Sequence, residues 1–270
     1  MLKDVTLGQF FPGRSVLHRL DPRIKIISVI LFIAAVFTAK SALAYAFMTV
    51  LLCALVAVSG IHISTVLKSI KPLVIIIAFT AITNIFWTKG EVPLVSFGTV
   101  EIYPEGIRTA ILMVVRLITL ITGTFVLLTY TTSPMALTDA IERLTSPLKK
   151  FGVPTHEFAM MMTIALRFIP TLIEETDKII SAQKSRGADF ETGSLIKRAK
   201  AIVPVLIPLF ISAFRRADEL ASAMECRLYH GGEGRTKMKV LKLSGIDFAA
   251  LGFFVLVILA VIVINIFLPM

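Results

Sequence analysis

Charge and reactive side chains are scarce in this 270-residue chain. Asp, Glu, Lys and Arg make up only 17% of it, against about 25% in ordinary soluble domains. The two cysteines suggest no chemistry: Cys53 lies in an apolar run and reads as a small core residue, and Cys226 has no cysteine near it in a charged stretch. No CxxC and no metal-ligand spacing occurs. The four histidines, at 18, 62, 156 and 230, are dispersed, and His156-Glu157 lacks the second histidine of a zincin helix. Without G-x-x-x-x-G-K-[ST], ATP binding through a P-loop in this chain is excluded. G-x-S-x-G and kinase signatures are missing too. Acidic residues hardly enter the apolar runs, Asp247 only opening the last one. That argues against a pump or secondary carrier, which needs ionisable groups near the midplane.

Apolar residues fill the chain instead. They make up 56% of it, with a mean hydropathy of +0.85. This is more apolar surface than a soluble domain of this size buries, which argues against both a soluble enzyme and a disordered chain. The expected fold is an all-α integral membrane protein with about five transmembrane helices and long amphipathic cytoplasmic helices. The net charge of +10 then reads as a topology signal rather than a nucleic-acid footprint. The lipid bilayer is the expected surrounding, and no nucleic acid is expected as a partner.

Apolar runs at 24–39, 41–61, 72–88, 107–131 and 246–269 are the candidate spans. The first follows Arg14, Arg19, Arg23 and Lys25, a leader unlike that of a cleavable signal peptide. Residues 158–173, interrupted by Arg167 and Pro170, and residues 201–214, too short and containing Pro204 and Pro208, read as buried or interfacial helix. Basic residues dominate 1–25, 60–71 and 132–243, whereas 89–106 sets Lys89 against Glu91, Glu101 and Glu105. The positive-inside rule places the N-terminus and 132–243 in the cytoplasm, and the C-terminus outside. Three segments result: 1–131 with four spans, 132–243, and 244–270 with the last span. Arg116, the one charge well inside a span, is either functional or a bundle or partner contact, or snorkels toward an end.

The 132–243 segment is helical by its pattern. Ser133-Pro134 opens a helix over 134–150. Between 161 and 180 the polar positions Thr163, Arg167, Thr171, Glu174 and Lys178 oppose Met162, Ala165, Phe168, Ile169, Leu172 and Ile179. A second long helix is expected over 197–228, kinked by its prolines. The ends of these two helices resemble each other. Residues 177–187 align without gaps on 218–228, with Asp177, Ser181, Ala182 and Arg186 matching Asp218, Ser222, Ala223 and Arg227. An arginine at a helix C-terminus suits the macrodipole in any protein. Two equivalent arginine tips also suit two equivalent docking points for carboxylate grooves on partner subunits.

The stretch Gly8-Gln-Phe-Phe-Pro12-Gly13-Arg14-Ser15-Val-Leu-His18-Arg19-Leu-Asp21-Pro22-Arg23-Ile-Lys25, with the paired Arg motifs, resembles the transmembrane T component of energy-coupling factor (ECF) transporters, a family related to the membrane subunit of cobalt and nickel uptake systems. The family's motifs, often Ala-Arg-Gly, correspond here to Ser185-Arg186-Gly187 and Cys226-Arg227-Leu228; the first departs at its first position and the second keeps only the arginine. The resemblance implies a non-catalytic coupling subunit of a vitamin or micronutrient importer. Two ABC-type ATPases, A and A′, would bind ATP and Mg and dock at Ser185, Arg186, Gly187 and at Cys226, Arg227, Leu228. This chain itself would hold no cofactor or metal. A substrate-binding S component would lie against the apolar face of the coupling helices, at Met161, Met162, Ala165, Phe168 and Ile169. A dedicated cobalt or nickel coupling subunit is the closest alternative. An autonomous carrier, or a membrane enzyme using His156, Glu157, Glu174 and Asp177, is the more distant one.

Overall fold

The computed structural model describes residues 10–13, 15–90, 94–97, 100–190, 194–232 and 241–267. Helices α1 (Val16–Arg19), α2 (Pro22–Thr38), α3 (Ala42–Ser59), α4 (Ile63–Ile70) and α5 (Val74–Trp87) lead to a two-stranded antiparallel ribbon, β1 (Val95–Phe97) with β2 (Val100–Ile102). Then come α6 (Pro104–Thr124), α7 (Pro134–Thr145), α8 (Thr155–Ser185), α9 (Leu195–Glu225) and α10 (Gly245–Phe267). A 3-10 turn at Lys71–Leu73 joins α4 to α5, and a π-helical turn at Phe125–Thr129 extends α6. The described residues of Gly8–Leu137 and Val240–Met270 form one compact unit, and those of Thr138–Lys239 form another.

Among the described residues five helices are long and apolar enough to cross a membrane: Ala42–Ser59, Ile63–Trp87, Pro104–Thr129, Thr155–Ser185 and Gly245–Phe267. Four coincide with the runs at 41–61, 72–88, 107–131 and 246–269. The fifth is α8, because residues 158–173 sit in a 31-residue helix whose charges gather toward its C-terminal half. The run 24–39 forms α2, 17 residues long. That is about 25 Å, short for a hydrocarbon core of about 30 Å.

In the first unit α10 packs along α2, and α6 packs along α2, α3 and α5. Phe32, Val36, Met48, Val126, Phe254 and Val261 are at the centre of this core. Gly123 in α6 lies so close to the Phe32 ring that an added Cβ would overlap it.

Buried polar groups close one end of this bundle. Lys25 is 3% exposed. Its Nζ donates to Thr131 O at 2.8 Å, Thr132 Oγ1 at 3.2 Å and His18 O at 3.4 Å. All three ammonium protons are thereby used. Two acceptors are carbonyls at or just beyond the C-terminal ends of α1 and the α6 extension, where helices leave such groups unpaired. Asp247, at the start of α10, accepts from the Asp21 N–H at 2.7 Å and from the Ser244 N–H and hydroxyl at 2.7 and 2.9 Å. Asp21 caps α2 through the Arg23 N–H at 2.9 Å and holds the Arg23 guanidinium at 2.8 Å.

Gly123→Ala is expected to lower stability by about 1–3 kcal/mol, because either α6 or Phe32 must shift. Asp247→Leu is expected to cost about 1–3 kcal/mol by stranding the N–H groups of Asp21 and Ser244. Thermal unfolding in mild detergent measures both, and an unchanged midpoint contradicts the corresponding contact.

Candidate functional site

The second unit is built on α8 and α9, both 31 residues long. They pack antiparallel. Glu175 of α8 accepts from the Ser212 hydroxyl at 2.5 Å and from Arg216 Nη2 at 2.9 Å, and Gln183 Nε2 reaches Pro204 O at 3.5 Å. Toward the other end Ile164, Phe168 and Leu172 face Ala217, Leu220 and Met224 across an apolar cleft of about 270 Å³.

Both helices end in the same way. At the end of α8 the Ala188 N–H donates to Gln183 O at 2.9 Å and the Gly187 N–H to Lys184 O at 3.0 Å. At the end of α9 the Tyr229 N–H donates to Met224 O at 3.1 Å and the Leu228 N–H to Glu225 O at 2.8 Å. Each is a Schellman closure with arginine at the cap and the next residue left-handed. Every partner is displaced by the 41 residues that separate the sequence repeats, so the repeat is also a repeat of backbone geometry.

The left-handed positions differ in their cost. Gly187, at φ 85°, fits without penalty, whereas Leu228, at φ 54°, carries a side chain there. A left-handed non-glycine residue costs roughly 1–2 kcal/mol. Leu228 gains no burial in return, since it is 76% exposed. Ser185, Arg186, Gly187, Cys226 and Arg227 are exposed as well. The antiparallel packing separates Arg186 from Arg227. The first lies beside the N-terminal part of α9, which leaves roughly 40 Å of helix between the tips.

The five apolar positions read from the sequence divide. Phe168 lines the interhelical cleft and Ile169 is half-buried. Met161, Met162 and Ala165 are exposed and share one helical stripe with Phe158. Sequence reading missed the stronger stripe on α9, where Val203, Ile207, Phe210 and Phe214 are exposed at helical spacing and the two phenylalanine rings stack at 6.3 Å. The uncharged run 201–214 was its signal, and it reads equally well as a buried helix.

The residues of the enzyme alternative do not converge. His156 Nδ1 pairs with Glu142 at 3.0 Å, while Glu174 and Asp177 lie about 27 Å or more further along α8. Among the described residues no group of three or more His, Cys, Asp or Glu side chains could hold a metal ion.

The CbiQ family, described as cobalt transport protein, matches residues 13–238. The chain is 55% identical over 252 residues to the energy-coupling factor transporter transmembrane protein EcfT of Ruminiclostridium cellulolyticum, covering 93% of this chain and 94% of that one. It is 53% identical over 251 residues to the protein of the same name from Clostridium kluyveri, covering 93% of each. With that of Bacillus subtilis it shares 45% over 247 residues, 92% of this chain and 93% of that one. These relatives are named as transmembrane components of a transporter, and the name EcfT marks a subunit that works in a complex. With its apolar helices and paired helix tips, this chain belongs to the EcfT family, the multi-pass transmembrane T components of ECF transporters.

Proposed function

We propose that this T component couples two ABC-type ATPases, A and A′, to a substrate-binding S component that carries a vitamin or similar micronutrient. One observation supports this above the others: two matching arginine-capped helix ends stand at opposite ends of one antiparallel pair. Tips that far apart suit two subunits rather than one groove. Each arginine's backbone is held at a helix cap, and its exposed guanidinium suits bidentate recognition of a carboxylate. Leu228 adds an apolar side chain beside Arg227, held outward by a strained backbone. ATP and Mg belong to the ATPases, and hydrolysis there supplies the energy.

The construction of α8 and α9 suits transmitted motion. Few of their residues are buried: Thr155 and Ala159 in α8, and Val205 in α9. The Glu175–Arg216 pair is part-exposed, and such pairs contribute about 0–1 kcal/mol. Thinly packed elements are the ones that shift at low free-energy cost. The exposed stripes on α8 and α9, including Met161 and Met162, give the S component an apolar and adaptable surface. With the basic segments in the cytoplasm and α8 and α9 lying along the membrane face rather than crossing it, both tips face the ATPases.

Co-expression with the two ATPases, followed by extraction in mild detergent, tests the docking points. Wild type is expected to co-purify with both. The double variant Arg186→Ala with Arg227→Ala is expected to lose them, since breaking a buried ion pair costs roughly 3–5 kcal/mol. A complex that survives both substitutions moves the docking points elsewhere.

Leu228→Gly separates strain from docking. It is expected to stabilise the isolated chain by about 1 kcal/mol and yet to weaken ATPase binding. Tighter binding contradicts a docking role for Leu228. Sidedness is read at Cys226 in a Cys53→Ala background, because Cys53, read from the sequence as a core residue, is exposed as Cys226 is. A membrane-impermeant maleimide is expected to label it in inverted vesicles and not in intact cells, and ATPases bound to the tip are expected to block the label.

A further inference from the structure

Lys40, Tyr45, Thr109, Leu112, Met113 and Arg116 line a pocket of about 130 Å³ in the first unit. Sites for whole small molecules run to about 300–1,000 Å³, so this one accommodates a chemical group rather than a metabolite. Arg116 enters it from α6, about 18 Å along the helix from Pro104. Its Nη2 donates to Ala39 O at 3.1 Å, its Nη1 lies 3.9 Å from Met113 Sδ, and the guanidinium carbon stands 5.4 Å from the Tyr45 ring centre. The Nε is buried and has no partner. A guanidinium offers five N–H donors, and most of these are unused. Lys40 adds a second positive charge, and no carboxylate lines the pocket among the described residues.

The walls are held in place. Asn265 Oδ1 accepts from the backbone N–H groups of Lys40 and Ser41 at 3.1 and 3.4 Å, and its Nδ2 donates to Thr38 O at 2.7 Å. Ala39 and Tyr45 are buried. The surrounding helices expose Phe37, Leu43, Ile111 and Ile266, a surface that suits acyl chains. A held guanidinium with unmet donors beside an exposed lysine, with no carboxylate among the described lining residues, calls for an anion.

We infer that this pocket binds the phosphodiester of a membrane phospholipid, whose acyl chains lie along the exposed apolar helices. An anionic headgroup is preferred, because the pocket carries two positive charges. The full-length chain, with any subunits that co-purify, is delipidated in mild detergent and titrated with phosphatidylglycerol, and retention is read by native mass spectrometry. Wild type is expected to retain the lipid. Lys40→Gln is expected to weaken retention about fivefold, the equivalent of roughly 1 kcal/mol for one cation at a membrane surface. Arg116→Gln is expected to weaken it at least as much. Lys40→Glu places a carboxylate in the pocket and is expected to abolish retention. Because the Lys40 side chain is exposed, its variants keep the fold even if Arg116→Gln does not. Phosphatidylglycerol is expected to raise the wild-type unfolding temperature, and inorganic phosphate at the same concentration is not. Equal retention by wild type and Lys40→Glu, or no retention by wild type, overturns the inference. Equal stabilisation by inorganic phosphate also overturns it, because the ligand is then a free anion.

Discussion

Lys25 and Asp247 are both nearly shut off from water, and the membrane bundle depends on how their charges are satisfied. Taking an ion out of water costs several kcal/mol unless its hydrogen-bonding capacity is met inside. Here it is met by helix ends. Lys25 takes the orphan carbonyls near the ends of α1 and the α6 extension, and Asp247 takes N–H groups at the starts of α2 and α10. Each charge has the sign that the local helix dipole favours. The arrangement is therefore selective: a shifted register in α2 or α10 would leave a buried charge facing the wrong partner. Helices that are apolar almost all round have little else to fix their axial position. Between Asp247 and Asn265, α10 carries Gly, Ala, Leu, Ile, Val and Phe on every side, so apolar packing alone discriminates poorly between its registers, and the two polar residues at its ends, Asp247 and Asn265, pin it to the two ends of α2.

The other unit follows the opposite logic. In α8 and α9 few side chains are buried, and the polar contacts between them are part-exposed. What is specified tightly there is the geometry of each end. A Schellman closure fixes the cap residue's backbone with two hydrogen bonds, so a thinly packed pair of helices still presents its arginines in a defined frame. Leu228 shows how far that specification goes, since glycine would close the helix without strain and leucine does so at a cost. A strained, exposed apolar residue at a helix tip is better explained by what it touches in a complex than by the stability of the free chain.

Much of this was legible in the residues. The stretch from Gly8 to Lys25, with the paired Arg motifs, carried the family resemblance, and its Asp21, Arg23 and Lys25 join Asp247 in the polar network at the end of the bundle. The 41-residue repeat identified two equivalent ends, and the two hydrogen bonds of each Schellman closure have their counterparts at the other end. Ser133 caps the helix that Pro134 opens, with its hydroxyl accepting from the Ala136 N–H at 3.3 Å. Other features depend on which helix meets which. That Phe168 turns into a cleft while Met161 and Met162 stay exposed follows from the antiparallel pairing of α8 and α9, which periodicity within one helix does not encode. The α9 stripe was obscure for a related reason, since an uncharged run gives no polar face from which to infer an apolar one. That α8 is long and apolar enough to span was hidden because Arg167 and Pro170 interrupt its apolar run, although the long helix through both was read from the pattern.

Arg116 and Lys25 pose the same electrostatic problem and receive different answers. Both are cations on membrane-bundle helices, and neither forms an ion pair among the described residues. Lys25 spends every proton on oxygen acceptors within the chain. Arg116 has one carbonyl, a distant sulfur and a ring face, and its Nε–H points to nothing. Were Arg116 needed only to pack α6 against the α2–α3 turn, an uncharged residue of similar length would do so without the cost of an unsatisfied buried donor. Keeping a guanidinium there, beside Lys40, makes sense if its remaining donors are met from outside the chain. In a bilayer the anionic acceptor present in greatest abundance is the phosphate of the lipid itself.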